Sequence, residues 1–370
     1  MFNKTVLTLA LGAMSISSAA VAVTDAEFKA MQAQLNAMAD QIDAGTTQGS
    51  DTQVGGYGEM HYNNLNDANG SREKKIDFHR FVLFVNHQFN SDIRLFTEFE
   101  VEHALAGKGK PGEVEIEQAY IQFDLTERTQ LNAGLFLLPV GILNETHEPG
   151  TFYGVERNPV EKNIIPTTWW EGGAMLSGRF DSGVSYDVAL HSGLQVDPAT
   201  VSLRSGRQKV AEAAADNLAA SARLKYTGVA GLELAATLQI QDDITQDSSD
   251  AVDGATLLET HAIWNTGPVT LKALYARWDI DGTGAEALGK DVQDGGFVEA
   301  GYKINPRHGV FVRHNIWDNG GTANDTQKTQ TDVGYNFWPH EAVVVKVDYQ
   351  SQDANAGDGD GINIGLGYQF

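Results

Sequence analysis

The last ten residues, GINIGLGYQF (361–370), alternate strictly between apolar side chains and Gly, Asn or Gln. A period of two is typical of a β-strand with one apolar face. A strand that stays apolar to its last residue predicts that this face meets lipid. It also predicts that the edge of the strand closes against the first strand of the sheet, which leaves no unpaired edge. The apolar positions are Ile362, Ile364, Leu366, Tyr368 and Phe370.

The same alternation recurs from Val54 onward in runs of roughly ten residues, the length with which a tilted strand crosses a bilayer. Short turns and longer polar loops separate the runs in regular order, which predicts seven turns, eight loops and sixteen strands. We therefore expect an all-β fold, a transmembrane antiparallel β-barrel of sixteen strands over residues 54–370. The predicted turns include Asn90-Ser91, Glu127-Arg128, Asp181-Ser182-Gly183, Gly228-Val229-Ala230, Thr266-Gly267-Pro268, Asn305-Pro306-Arg307 and Trp338-Pro339-His340.

The N-terminal segment has a different pattern. Residues 1–22 have a positive start, a short apolar stretch and a small-x-small cleavage site, which are typical of a signal peptide. In residues 23–45 the apolar residues are spaced 3, 4, 3 and 4 apart. This spacing predicts a short periplasmic coiled-coil helix that several copies of the chain hold together. A monomeric amphipathic helix is the alternative. Residues 46–53 are a predicted linker.

Charge and composition restrict the partners. The chain has 49 acidic and 26 basic residues, a formal charge of -23, so nucleic acid is not expected to bind. It contains no cysteine, which excludes disulfides and thiol catalysis. We expect no cofactor, no catalytic residue and no metal site. Glu145-x-His147-Glu148 carries ligand-type side chains, but spacing within a loop fixes no coordination geometry.

Two internal stretches resemble the phosphate-selective porin O and P family, namely EIEQAYIQFDLTERTQLNAGLFLLPVG (115–141) and NPVEKNIIPTTWWEGG (158–173). The end of the chain at Phe370 resembles the end of outer-membrane barrels generally. The resemblance implies a sixteen-stranded, homotrimeric channel with its third loop folded inward. In that family, phosphate selectivity is associated with a path rich in Arg and Lys. The sequence does not obviously reproduce this path, so no phosphate-site residue is transferred.

Loop 139–170 is about 30 residues long, which is too long for a simple connection. We expect it to fold into the barrel and to place acidic and basic groups across the lumen, where opposed charges orient solutes. A solvated surface loop is the alternative. The predicted constriction and pore-lining residues are Glu145, His147, Glu148, Glu156, Arg157, Glu161, Lys162, Arg80, Arg94, Glu98, Glu100, Arg223, Lys225, Arg313 and Lys346.

The expected function is that of a porin in the outer membrane of a Gram-negative bacterium. Its water-filled channel would pass small hydrophilic solutes and ions by passive diffusion, without catalysis. The expected partners are outer-membrane lipid and lipopolysaccharide, two further copies in a homotrimer, and the barrel-assembly machinery, which would read Tyr368 and Phe370. Two alternatives are a surface-binding barrel, such as an adhesin or phage receptor, and a barrel enzyme, such as a protease or phospholipase.

Overall fold

The computed structural model describes residues 51–66, 70–247, 251–323, 325–353, 355 and 359–370. The predicted signal peptide, the coiled-coil helix and most of the linker lie outside the described residues. Sixteen antiparallel strands form a closed barrel in which each strand pairs with its sequence neighbours and the last pairs with the first. The predicted fold class is confirmed.

The strands are β1 (Thr52–Asn66), β2 (Arg72–Asn90), β3 (Ile93–Glu102), β4 (Val114–Thr126), β5 (Thr129–Leu137), β6 (Trp170–Arg179), β7 (Val184–His191), β8 (Ala219–Tyr226), β9 (Leu232–Gln241), β10 (Ala255–Thr266), β11 (Val269–Ile280), β12 (Val292–Asn305), β13 (His308–Asp318), β14 (Lys328–His340), β15 (Val343–Gln352) and β16 (Gly361–Gln369). Among the described residues, two short helices, α1 (Pro159–Asn163) and α2 (Thr283–Ala287), lie in connections. In the part of the chain that is described, neither helix is long and apolar enough to cross a membrane.

The connections follow the predicted order of short turns and longer loops, but one predicted boundary is wrong. The sequence predicts a turn at Trp338-Pro339-His340, whereas β14 continues to His340 and β15 begins at Val343. The pairing of β14 with β15 shifts register between Phe337 and His340. This irregularity accommodates the proline, which has no N–H to donate to a regular ladder.

The two faces of each strand differ as the alternation predicts. On β15, Val345 is 38% exposed and Tyr349 is 49% exposed, while Lys346 and Asp348 between them are 2% and 6% exposed. The apolar residues form the outer face of the barrel. The polar residues face inward, where the loops cover them.

Glycines on the inner face of β16 allow a loop to approach the wall closely. A Cβ atom at Gly367 would lie 2.4 Å from Cβ of Pro149, and one at Gly365 would lie 3.1 Å from Cγ1 of Val155. Pro149 and Val155 both belong to the long connection between β5 and β6. The small residues of the terminal strand therefore make room for that connection inside the barrel.

The pairing of β1 with β16 closes the barrel, and Phe370 extends this pairing beyond Gln369. Its N–H donates to the Gly56 carbonyl and its carbonyl accepts from the Gly56 N–H, both at 2.9 Å. Its ring stacks on Phe81, with the centroids 6.1 Å apart.

Deleting Phe370 is expected to lower the amount of folded barrel in the outer membrane. The deletion removes two hydrogen bonds and a ring contact from the closing strand pair. Selectivity should change little, because the Phe370 side chain is on the exposed surface. The effect is measured as the amount of folded protein in outer-membrane fractions, which migrates differently on a gel before and after boiling (heat modification). Phe370→Tyr is the control and should retain normal levels. Equal levels of the deletion variant and the natural protein would contradict the prediction.

Candidate functional site: the lumen and its loops

The connection between β5 and β6, residues 138–169, lies inside the barrel, and we call it the inner loop. It contacts inward-facing side chains on distant parts of the wall. Glu145 forms an ion pair with Arg223 of β8. The N–H of Val155 donates to Oδ2 of Asp348 on β15, at 2.6 Å. The loop thus reaches across the lumen from one side of the barrel to the other.

An apolar cluster packs the inner loop against the wall of the barrel. Ile164, Ile165 and Trp169 are fully buried. The ring of Trp169 lies 6.0 Å from that of Trp278 on β11, and Nε1 of Trp278 donates to the Ile164 carbonyl at 2.9 Å. The apolar stretch of the loop therefore packs against the inside of the wall.

Asn144 joins the two ends of the inner loop. Its Nδ2 donates to the carbonyls of Leu138 and Trp169, both at 2.8 Å. Its Oδ1 accepts from the N–H of Trp169 at 2.7 Å. Every polar group of this buried amide is used, which fixes the width of the loop at its base.

Glu161, in α1, organises the centre of the loop. Its Oε1 accepts from the N–H groups of Ile142 and Leu143 at 2.6 and 2.7 Å. Its Oε2 accepts from Nδ2 of Asn158 at 2.8 Å. Burial raises the pKa of this carboxyl although the three hydrogen bonds oppose the shift.

Glu161→Ala is expected to destabilise the inner loop. Each of the two buried amide groups that loses its acceptor costs about 1–3 kcal/mol. Glu161→Gln is the matched control, because its side-chain oxygen can still accept from both amides. The midpoint of heat modification should fall for the alanine variant and change little for the glutamine variant. Equal midpoints for the alanine variant and the natural protein would show that the loop does not depend on this carboxylate.

Beside the inner loop lies a cavity of about 440 Å³, bordered on one side by β1 to β4 and on the other by loops. The wall side carries carboxylates and imidazoles, and the loop side carries most of the basic groups. The charged residues and histidines that line the cavity are Glu59, His61, Glu73, Lys75, His79, Arg80, Glu102, His103, Glu115, Glu117, Glu156, Arg157, Lys162, Arg204, Arg207 and Lys209.

Several acidic groups of the wall side are paired. Oε1 of Glu59 lies 2.7 Å from Nε of Arg80, and its Oε2 lies 3.1 Å from Nε2 of His61. Nδ1 of His61 lies 3.1 Å from Oε1 of Glu156 on the inner loop. Burial alone would raise the pKa of Glu156, but the hydrogen bond and the charge of His61 outweigh it and hold the pKa below its usual range.

Three arginines on the loop side converge on one segment and form what we call the arginine cluster. Nη1 of Arg157 donates to Oγ1 of Thr168 at 2.7 Å. From the connection between β7 and β8, Arg204 donates to the Thr167 carbonyl at 2.7 Å and Arg207 donates to the Thr168 carbonyl. Nε and Nη2 of Arg157 are buried without a hydrogen-bond partner among the described residues. All three arginines line the cavity, so the arginine cluster places its positive charge beside the lumen.

The structure places four of the predicted site residues, Arg80, Glu156, Arg157 and Lys162, on this cavity. Sequence reasoning did not identify Arg204, Arg207 and Lys209, which share the cavity. The signal was the segment RSGRQK (204–209), where three basic residues occur within six positions of an acidic chain.

The other predicted residues lie inside the barrel or near its ends, in contacts of their own. Most of them are buried between the inner loop and the wall. Arg223 pairs with Glu145 and Asp187, Arg313 pairs with Glu299 and Asp332, and Arg94 pairs with Asp124. Lys346 lies over the ring of Phe152. His147, Glu98, Glu100 and Glu161 are buried, and Glu148 and Lys225 are half-buried.

His147 lies between two carboxylates of the wall. Its Nε2 is 3.3 Å from Oε2 of Glu117 on β4 and 3.5 Å from Oε1 of Glu98 on β3. Burial would lower the pKa of His147, but the two carboxylates outweigh burial and raise it to about 10. Glu145, two residues earlier, points away to Arg223.

Comparison with known proteins agrees with this architecture. A family model described as phosphate-selective porin O and P matches residues 53–370. An uncharacterized protein of Aquifex aeolicus (strain VF5) is 28% identical over 342 residues, which cover 81% of this chain and 75% of that protein.

Two solved structures share the fold. The anion-selective porin from Comamonas acidovorans is 11% identical with a TM-score of 0.62, and the match covers 87% of this chain and all of that one (100%). OmpT of Vibrio cholerae, folded in vitro and in its trimer form, is 11% identical with a TM-score of 0.55, over 86% of this chain and 99% of that one. Because the family match spans the whole barrel, the chain belongs to the phosphate-selective porin O and P family and is an outer-membrane porin of a Gram-negative bacterium, a channel for the passive diffusion of small hydrophilic solutes and ions.

Proposed function

We propose that the inner loop and the arginine cluster form the constriction of this channel, and that the constriction favours small anions over cations. The proposal rests on the lack of ion-pair partners for Arg157, Arg204 and Arg207. Within the described residues, none of their guanidinium groups lies in an ion pair with a carboxylate. Guanidinium groups offer planar donors suited to phosphate, carboxylate and similar anions.

The acidic groups of the cavity offset this preference only in part. Glu59 is paired with Arg80, and Glu156 is hydrogen-bonded to His61. Glu115 is paired with Lys209. The fields of paired charges largely cancel. Among the described charges of the cavity, Glu73 and Glu102 lie in no ion pair, but neither do Lys75 and Lys162, so the three arginines leave an excess of positive charge. A transverse field remains between the wall side and the loop side, which would orient polar solutes as they pass.

The net charge of -23 is compatible with an anion preference. Exposed charges farther than a Debye length from the permeating ion, about 10 Å at 0.1 M salt, are largely screened. Charges in the narrow cavity are screened less. The local groups at the constriction therefore outweigh the acidic residues elsewhere on the molecule.

Substituting the ions one at a time in a planar lipid bilayer tests this function. Purified protein should give stepwise conductance in potassium chloride. Replacing chloride by a bulky anion should lower the unit conductance more than replacing potassium by a bulky cation. Silent bilayers after correct folding would contradict the channel, and a greater loss on replacing potassium would contradict the anion preference.

We propose further that the porin is a homotrimer without catalytic activity, inserted by the barrel-assembly machinery among outer-membrane lipid and lipopolysaccharide. The trimer form of the similarly folded OmpT supports the oligomeric state. The predicted coiled-coil spacing in residues 23–45 supports it independently. Conductance steps in groups of three would agree with a trimer, and single independent steps together with a monomer mass in mild detergent would contradict it.

A further inference from the structure

We propose that Glu98, Glu117 and His147 form a binding site for a divalent transition-metal ion that fastens the inner loop to β3 and β4. Nothing in the passive diffusion of solutes requires these three groups. Each of the three residues is only 2% exposed. One nitrogen and two carboxylate oxygens meet there, all within 4.8 Å of one another.

The hydrogen bonds around the trio orient its atoms for binding a cation. Nδ1 of His147 lies 3.1 Å from the carbonyl of Asn144, which can only accept, so Nδ1 is the donor. This leaves Nε2 to face the two carboxylates. Gln118 donates to Oε2 of Glu98 at 2.7 Å. Oε1 of Glu98 faces Nε2 and also accepts a long, 3.5 Å hydrogen bond from the Tyr57 hydroxyl. Such secondary contacts are typical of metal-binding histidines and carboxylates.

The spacing of two facing ligand atoms provides a further indication. Nε2 of His147 and Oε2 of Glu117 are both buried and form an ion pair, but no hydrogen bond of good geometry joins them. They lie 3.3 Å apart. A charge-assisted N–H···O hydrogen bond is usually about 2.7–2.9 Å long. Two ligand atoms on a tetrahedral zinc ion, each about 2.1 Å from the metal, lie about 3.4 Å apart.

Charge and access also fit a metal ion. A metal ion that binds Nε2 displaces the imidazole proton, and the two carboxylates with the neutral imidazole then carry a charge of -2, which a divalent cation neutralises. Mixed nitrogen and oxygen donors suit Zn²⁺ and neighbouring transition metals. Glu117 borders the 440 Å³ cavity, which places the trio next to the lumen.

A zinc-binding measurement on the full-length porin in detergent tests the site. A second group, Asp77, His79 and His103, is half-buried and could bind the probe as well. The measurements therefore use a background variant, His79→Gln with His103→Gln. After treatment with chelator and titration with zinc chloride, this background should bind one tightly held Zn²⁺ per chain. With Co²⁺ instead, it should show the visible absorption of a four- or five-coordinate ion.

Two variants in this background distinguish a metal site from a histidinium held between two carboxylates. Glu117→Gln keeps the shape of the side chain and should weaken zinc binding at least 100-fold. Glu145→Gln is the matched control, because Glu145 neighbours His147 in sequence but pairs with Arg223; it should bind zinc normally. Heat modification verifies that each variant is folded. No bound zinc in the background would overturn the proposal in favour of the histidinium, and so would equal binding by the Glu117→Gln variant.

Discussion

Replacing Arg157, Arg204 and Arg207 together by glutamine is expected to abolish the preference of the channel for anions. Each arginine contributes one positive charge at the cavity. A unit charge 7 Å from a permeating ion in water changes its energy by about 0.6 kcal/mol, roughly a threefold change in local ion concentration. The loss of three such charges should lower the anion-to-cation permeability ratio several-fold. The zero-current potential in a potassium chloride gradient measures it.

The matched control removes three arginines outside the lumen. Arg128, Arg179 and Arg307 are exposed at the turns of the barrel. Replacing these three by glutamine changes the net charge of the chain equally, but should leave the permeability ratio nearly unchanged. If both triple variants shift the ratio alike, net charge rather than the arginine cluster sets the selectivity.

Trp169→Ala is expected to loosen the inner loop and to raise and destabilise the single-channel conductance. Truncation of a fully buried tryptophan typically costs about 3–5 kcal/mol, because it leaves a cavity as well as removing apolar contacts. The substitution removes the ring contact with Trp278 and the hydrogen bond that Nε1 of Trp169 donates to Oε1 of Glu171 at 2.7 Å. The hydrogen-bonded wall remains closed, so the effect should be confined to the loop.

Single-channel recordings test this prediction. The variant should show a larger mean conductance and frequent flicker between levels. Trp264→Ala is the control, because Trp264 is a tryptophan on strand β10 that does not contact the inner loop and is 43% exposed. This control should show the normal single-channel conductance without flicker. A quiet, unchanged channel in the Trp169→Ala variant would show that the apolar cluster does not position the loop.

Most of the barrel could be predicted from the sequence because its physical signals are local. The outer face needs apolar residues at every second position, and the order of turns and loops follows from the path of the chain across the membrane. The boundary at Pro339 was missed for a local reason as well. Proline usually marks a turn, and only the register shift between β14 and β15 allows it inside a strand.

The site could be predicted only in part, because loops have no periodicity that assigns a side chain to a face. Glu156 and Glu161 are both acidic residues of the inner loop. One borders the cavity, and the other binds backbone amides inside the loop. Arg204 and Arg207 come from a different connection, and their proximity to Arg157 depends on the closure of the whole barrel. The pairing of His147 with Glu98 and Glu117 depends equally on tertiary structure.

The central claim is that the arginine cluster, whose members form no ion pairs among the described residues, sets the ion selectivity of this porin. The most direct test is the zero-current potential of the natural protein across a tenfold potassium chloride gradient, measured at low and at high mean salt. We expect the zero-current potential to have the sign of a channel more permeable to chloride than to potassium. Its magnitude should fall at high salt, because salt screens the arginine charges. A potential of the opposite sign at low salt, where screening is weakest, would contradict the claim.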